Sequence, residues 1–265
     1  MTAVAGVVGW PIAHSLSPLL HNAWIDAAGI DARYQAMGPE DPQAFRRLIA
    51  LGRSGTLTGV NVTAPYKELA LALSDTVSET ARRAGSANLL VFSEGQVTAD
   101  STDGFGLMGA LHEQAPQLSV VGRVVAVLGA GGAARAAVAA LLDQNAEVVI
   151  FNRTREKAQT LIQQVGGRLG EDADLRSASL VVNALSVPPV LDFDLVAEGA
   201  VMMDMTYRPL QTPFLKAART RGMTGVDGLA MLIEQARPSF RAFYGFEPPR
   251  IDVRALALAH LGEAL

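Results

Sequence analysis

Short apolar runs alternate with stretches of helical periodicity along the whole chain, and this alternation predicts strands and helices in turn. Val4 to Gly9 reads as a strand. Ser17-Pro18 then opens a helix through about Ala28, because serine is a good N-cap and proline fits the first helical position. Arg33 to Met37 reads as a strand, Pro42 to Leu51 as a helix, Leu57 to Val62 as a strand and Tyr66 to Leu73 as a helix. Asn88 to Phe92 and Gln96 to Ala99 read as two strands around the turn signal Glu94-Gly95. Strands alternating with helices predict an α/β domain with a largely parallel sheet.

A second α/β series begins near Val120. The continuous apolar run Val124 to Leu128 is the pattern of a central parallel strand. Ala133 to Leu142 follows as a helix, Glu147 to Phe151 as a strand and Arg155 to Val165 as a helix. Ser179 to Asn183 and Ala200 to Met205 add strands, Pro213 to Arg221 a helix ended by Gly222, and Met223 to Val226 a last strand. Leu229 to Tyr244 and Asp252 to Leu261 are helical. The first boundary falls near Asp103-Gly104, with Phe105 to His112 as a linking helix. The last two helices have no sheet of their own to cover, so they are expected to return to the first domain. The layout is a discontinuous first domain, residues 1–103 completed by the helices of 236–265, and a second domain, 104–235.

Composition narrows the function classes. Of 265 residues, 49% are apolar and 18% charged, which supports a sizeable core and excludes a disordered chain. The net charge of −4 argues against nucleic acid as a partner, since phosphate backbones require a basic face. Cysteine is absent, which removes disulfides, thiolate metal sites and a cysteine nucleophile. No apolar run reaches the ~18 residues of a membrane span, so no membrane partner is expected. Met1 to Gly9 carries no basic segment ahead of its strand, so no signal peptide and a cytoplasmic location are expected. No clustered carboxylates join His14 and His21, and no metal is expected. Nothing chooses between monomer and homodimer.

Gly129-Ala130-Gly131-Gly132-Ala133-Ala134 fits G-x-G-x-x-[G/A], with an apolar strand running into it and a helix leaving it. Gly129 permits the tight turn, Gly131 lets the backbone approach a pyrophosphate, and small Ala134 lets the helix lie close on the strand. Free N–H groups at that helix start face the anion. This is the phosphate turn of a Rossmann-type dinucleotide site, formed by Gly129, Ala130, Gly131, Gly132 and Ala133. An acid at the end of the next strand would hold the ribose 2′-hydroxyl of NAD. Here stand Asn152, Arg153, Thr154 and Arg155, with Lys157 just beyond and no acid before Glu156. Two charge-assisted bonds to a 2′-phosphate would supply roughly 3–6 kcal/mol, which predicts NADP in preference to NAD. Gly225, in the last strand, completes the expected cofactor set.

Five strings resemble the shikimate dehydrogenase family, in the same order over almost the full length. They are Gly9-Trp10-Pro11-Ile12-Ala13-His14-Ser15-Leu16-Ser17-Pro18 with His21-Asn22; Gly59-Val60-Asn61-Val62-Thr63-Ala64-Pro65-Tyr66-Lys67; Thr102-Asp103-Gly104; Asn152-Arg153-Thr154; and Gly228-Leu229-Ala230-Met231-Leu232 with Gln235. The resemblance implies a substrate-binding and catalytic first domain and an NADP-binding second domain. Substrate and cofactor would meet in a cleft between them. It also implies reversible NADP-dependent reduction of 3-dehydroshikimate to shikimate, a small carboxylated ring.

Each string also has a local reading. Ser15 and Ser17 flank a helix start whose N–H groups and dipole suit a carboxylate. Ser17 explains itself in part as a cap, whereas Ser15 does not. The resemblance makes both holders of the shikimate carboxylate. Lys67 sits in a first helical turn, where a cation is unfavourable. Asp103 could simply cap the next helix. The resemblance makes Lys67 and Asp103 the catalytic pair at the hydroxyl that is oxidised, where a base must take the proton. A neighbouring carboxylate stabilises an ammonium, so residue types leave open whether Lys67 takes that proton or mainly orients the substrate. Thr63, Asn88, Tyr207 and Gln235 carry over as substrate-binding residues. Asn88 could merely start a strand, and Gln235 could be an exposed helix position.

Three segments depart from the family pattern. G-A-V-N-T is Gly85-Ser86-Ala87-Asn88-Leu89, N-T-D-G is Ser101-Thr102-Asp103-Gly104, and N-A-T-S-x-G is Asn183-Ala184-Leu185-Ser186-Val187-Pro188. They leave two alternatives: a paralogue acting on quinate or an amino analogue, and a non-catalytic sensor of cofactor and metabolite. Intact Lys67 and Asp103 argue against the sensor.

Overall fold

A computed structural model describes residues 2–263. Met1 and the last two residues of the segment 236–265 lie outside the described residues. The chain forms two compact units. One takes the residues up to Thr102 together with those from Gln235 onward, and the other runs from Asp103 to Glu234. Asp103 falls in the second unit and Gln235 in the first, one residue from each boundary read in the sequence.

The first unit contains β1 (Ala3–Val8), α1 (Ser17–Ala28), β2 (Ala32–Met37), α2 (Pro42–Arg53), β3 (Gly59–Val62), α3 (Lys67–Ala72), β4 (Thr76–Val77), α4 (Glu79–Ala84), β5 (Leu89–Ser93) and β6 (Gln96–Asp100). Its sheet runs β2-β1-β3-β5-β6-β4. β1 lies parallel to β2 and β3, and β4 parallel to β6, whereas β3–β5 and β5–β6 are antiparallel, so the sheet is mixed with most of its pairings parallel. The cause is the hairpin at Glu94 and Gly95, both at positive φ (51° and 77°), which turns β5 straight back into β6. Asp41 caps α2 by accepting from Ala44 N–H at 2.7 Å. α4 was not anticipated. Ser78 caps it by accepting from Ala81 N–H, and Gly85 ends it at φ +62°.

His21 lies wholly buried on α1 and stacks on Tyr34 at 3.9 Å, with Trp24, Phe240 and Phe243 around it. Neither ring nitrogen has a hydrogen-bond partner. Burial among uncharged rings lowers its pKa from 6.5 to about 3. Below pH 6.5 the unfolded chain therefore binds a proton that the folded chain refuses. The stability from this residue is complete above that pH and is lost as pH falls towards 3. Between pH 7 and pH 5 it should amount to about 2 kcal/mol. Urea unfolding of His21→Phe should lose that part of the pH slope. An unchanged slope would contradict the assignment.

The second unit contains α5 (Asp103–Gln114), β7 (Val124–Leu128), α6 (Gly132–Asp143), β8 (Glu147–Phe151), α7 (Arg155–Val165), β9 (Arg168–Leu169), α8 (Asp172–Leu175), β10 (Leu180–Asn183), β11 (Val201–Asp204), α9 (Pro213–Thr220) and β12 (Gly225–Val226). Its sheet is parallel throughout, in the order β12-β11-β10-β7-β8-β9. Val125 and Val127 enter one core and Ala126 and Leu128 another, so β7 is covered on both faces and has no polar face to show. After β7 the chain moves to one side through β8 and β9, then returns to the other through β10. This reversal makes the C-terminal end of β7 the switch point where such sheets bind ligands.

α10 (Gly228–Tyr244) starts in the second unit and ends in the first, and α11 (Val253–Leu261) then packs on α1. Among the described residues, no helix is long and apolar enough to cross a membrane.

Candidate active site

In the first unit, the loop after β1 and the loop after β3 are zipped together. Thr63 N–H donates to Val8 O at 2.8 Å and Trp10 N–H to Ala64 O at 3.1 Å. A Cβ at Gly9 would overlap the Thr63 methyl, so only glycine lets these loops close. This closure carries Ser15 and Ser17 to the same sheet end as Thr63 and Lys67. The serine roles differ from the sequence reading. Ser17 is buried and is the first helical residue, with no side-chain cap on α1. Ser15 Oγ instead accepts from Ser17 N–H at 3.3 Å. A serine two residues earlier reaches that N–H because Leu16, between them, is already in helical conformation.

Lys67 is half-buried at the first position of α3. Its carbonyl accepts from Ala87 N–H at 3.0 Å, which ties it to the segment bearing Asn88. Asn88 is buried in a polar cluster. Its Oδ1 accepts from Thr102 N–H at 2.7 Å, and its Nδ2 donates to Thr102 Oγ1 (3.0 Å) and Gln235 Oε1 (3.3 Å). Gln235 is therefore not a plain exposed helix position.

Asn61 supports this cluster and was not singled out from sequence. It is 6% exposed in β3. Nδ2 donates to Asn88 O at 3.1 Å and to Ser239 Oγ at 2.8 Å, while Oδ1 accepts from Tyr34 OH at 2.8 Å. The available signal was an amide inside the otherwise apolar run Val60 to Val62. A buried amide needs partners, so such a residue marks a polar network.

In the second unit, Gly129 takes φ +120°, and a Cβ there would lie 3.2 Å from Leu185 Cδ2. Gly131 precedes α6, and no side chain caps that helix. A Cβ at Gly131 or Gly132 would meet nothing within 4 Å. The start of this three-turn helix is thus uncapped by any side chain and has room beside both glycines, which suits a pyrophosphate. Ala134 is fully buried, as close helix packing requires.

At the end of β8, Asn152 Nδ2 donates to Thr154 O at 2.8 Å and shapes the turn. Thr154 is the N-cap of α7 without using its hydroxyl as a cap. Arg153, Arg155 and Lys157 are exposed, and none joins an ion pair among the described residues. Three unneutralised cations and an open hydroxyl fit a dinucleotide with an additional phosphate. Gly225 is not brought to this turn. It lies in β12, where a Cβ would meet Leu215 of α9 at 3.5 Å. Gly228, beyond the same strand, is the glycine under constraint, since a Cβ there would overlap the Met205 carbonyl. Asp103 begins α5, where an acid suits the helix dipole. Tyr207 lies in the segment between β11 and α9.

The family models Shikimate dehydrogenase substrate binding domain and Shikimate / quinate 5-dehydrogenase match residues 7–90 and 111–187. Shikimate dehydrogenase (NADP(+)) of Caulobacter vibrioides (strain NA1000 / CB15N) is 50% identical, over 98% of this chain and 96% of that protein. The chain belongs to the shikimate dehydrogenase family. The corresponding protein of Gluconobacter oxydans (strain 621H) is 43% identical, over 93% of this chain and 92% of its own. The crystal structure of shikimate 5-dehydrogenase from Thermus thermophilus in complex with NADP(H) and shikimate aligns with a TM-score of 0.88 at 34% identity, covering 98% and 99% of the two chains.

Two departures from the shikimate dehydrogenase pattern now have a physical place. Leu89 is buried in β5 and leaves the Asn88 bonds to Thr102 and Gln235 intact. Leu185 lies beside the phosphate turn, in a loop shaped by Asn183 Oδ1 accepting from Leu185 N–H at 3.2 Å. Both changes replace a hydroxyl by apolar packing and remove no residue of the first unit's polar cluster.

Proposed function

We propose that this chain interconverts shikimate and 3-dehydroshikimate with NADP(H). The observation that carries the reading is full-length 50% identity to a shikimate dehydrogenase (NADP(+)), together with an intact polar cluster around Asn88. Ser15 and Ser17 hold the carboxylate, aided by the start of α1. Thr63, Asn88 and Gln235 orient the ring hydroxyls, with Tyr207 as a further substrate residue. Lys67 and Asp103 act at the hydroxyl that is oxidised and handle its proton. The turn at Gly129 to Ala133 and the cations Arg153, Arg155 and Lys157 hold NADP, which when bound supplies the hydride donor or acceptor. The enzyme is cytoplasmic, a monomer or homodimer, with a small carboxylated ring as its partner. A quinate or amino-analogue specificity is the weaker reading, because Leu89 and Leu185 leave every hydrogen bond of the Asn88 cluster in place.

The experiment is product identification. With 3-dehydroshikimate and NADPH, proton NMR should show shikimate as the sole ring product. Unchanged 3-dehydroshikimate would refute the proposal.

A further inference from the structure

We propose that Asp204 is a positioning residue for Tyr207, acting by clamping both ends of the segment 206–211 to one carboxyl group. Asp204 ends β11 and is 2% exposed. Its Oδ1 accepts from Thr206 N–H at 3.0 Å, and its Oδ2 accepts from the Thr212 hydroxyl at 2.7 Å. Thr206 immediately precedes Tyr207. Thr212 is the N-cap of α9, and its oxygen accepts from Leu215 N–H at 3.2 Å. One carboxyl group therefore fixes where the segment leaves the sheet and where it enters the helix. The Thr212 hydroxyl serves both bonds at once, donating to Asp204 while capping the helix. Leu210 is buried and anchors the middle of the segment. Met205 N–H donates to Asn183 O at 3.0 Å, so β11 and β10 hold the base of the segment in register.

Turn formation alone would need only the bond from Thr206 N–H, and helix capping only the bond from Leu215 N–H to the Thr212 hydroxyl. The link between them, Asp204 Oδ2 to Thr212, serves neither purpose. Its effect is to remove freedom from the six residues between. Tyr207 is the member of that segment to which the proposed function gives a substrate role, and this inference rests on that reading. Small misplacements of a substrate-positioning group carry large kinetic costs.

The test uses the full chain and steady-state kinetics. Thr212→Val keeps the side-chain shape and removes both the link and the cap of α9, whereas a change at Asp204 leaves that cap in place. Asp204→Asn is the second variant, and Thr212→Ser restores the hydroxyl. Thr212→Val should raise KM for shikimate by about tenfold, with KM for NADP changed less than about twofold and Thr212→Ser near the parent. In a Tyr207→Ala background, Thr212→Val should add nothing further, because its effect passes through that side chain. A KM unchanged in both Thr212→Val and Asp204→Asn would overturn the proposal. So would an equal rise in KM with and without Tyr207, which is the signature of general loosening. If Tyr207→Ala itself leaves KM for shikimate unchanged, the substrate role of Tyr207 falls, and this inference falls with it.

Discussion

Replacing Lys67 with alanine should lower kcat for shikimate oxidation by about 10³-fold, within the 10²–10⁴ that a positioned acid–base group contributes. Lys67 occupies the first position of α3, where the helix dipole disfavours a cation by roughly 0.3–1 kcal/mol. A cation held at a helix start, beside Thr63 and the Asn88 segment, fits the catalytic role proposed for it. Shikimate binding, measured by calorimetry with the variant, should weaken much less than kcat falls, since the serines, Thr63, Asn88 and Gln235 all remain. That split also separates an enzyme from a metabolite sensor, which would keep binding and have no turnover to lose. A kcat within tenfold of the parent would remove Lys67 from the catalytic pair.

The second large effect concerns the cofactor. The double variant Arg153→Ala with Arg155→Ala should weaken NADP by about 10²–10⁴-fold while changing NAD by less than about threefold. The range follows from two charge-assisted hydrogen bonds of about 1.5–3 kcal/mol each. Both arginines are exposed and lack an anionic partner among the described residues, so no internal ion pair is broken. The same exposure makes the interaction sensitive to salt, and the NADP preference should shrink as ionic strength rises. Equal losses for the two cofactors would show that these cations do not hold a 2′-phosphate.

The parts of the molecule that could be read in the sequence are those with local causes. The phosphate turn is one. An apolar strand, a turn that needs φ > 0 at Gly129 and a small residue at Ala134 all act within a few residues. The hairpin at Glu94-Gly95 is another. The return of the last helices to the first unit follows from a count of surfaces, because α10 and α11 carry apolar faces and bring no strand. What was missed depends on contacts made far along the chain. Asn61 and Ser239 are 178 positions apart, and nothing in either segment announces the other. The exchange of roles between Ser15 and Ser17 turns on whether the loop reaches helical geometry at Leu16 or one residue later. α4 was legible in principle, since Ser78 and Gly85 are ordinary start and stop residues, but six residues give too little periodicity to register. Gly225 reads as the cofactor glycine because it sits in the last strand, although Gly228 opens a string of the resemblance. Only the packing of Met205 shows which of them has no room for a side chain.

The central claim is the pairing of shikimate with NADP, and initial rates of oxidation test it most directly. Purified protein is assayed for reduced cofactor with shikimate or quinate against NADP or NAD. Shikimate with NADP should give kcat/KM at least about 10² above shikimate with NAD, in keeping with the two phosphate-binding arginines, and above quinate with either cofactor. Absence of turnover with shikimate and NADP, or a higher kcat/KM with quinate, would contradict it.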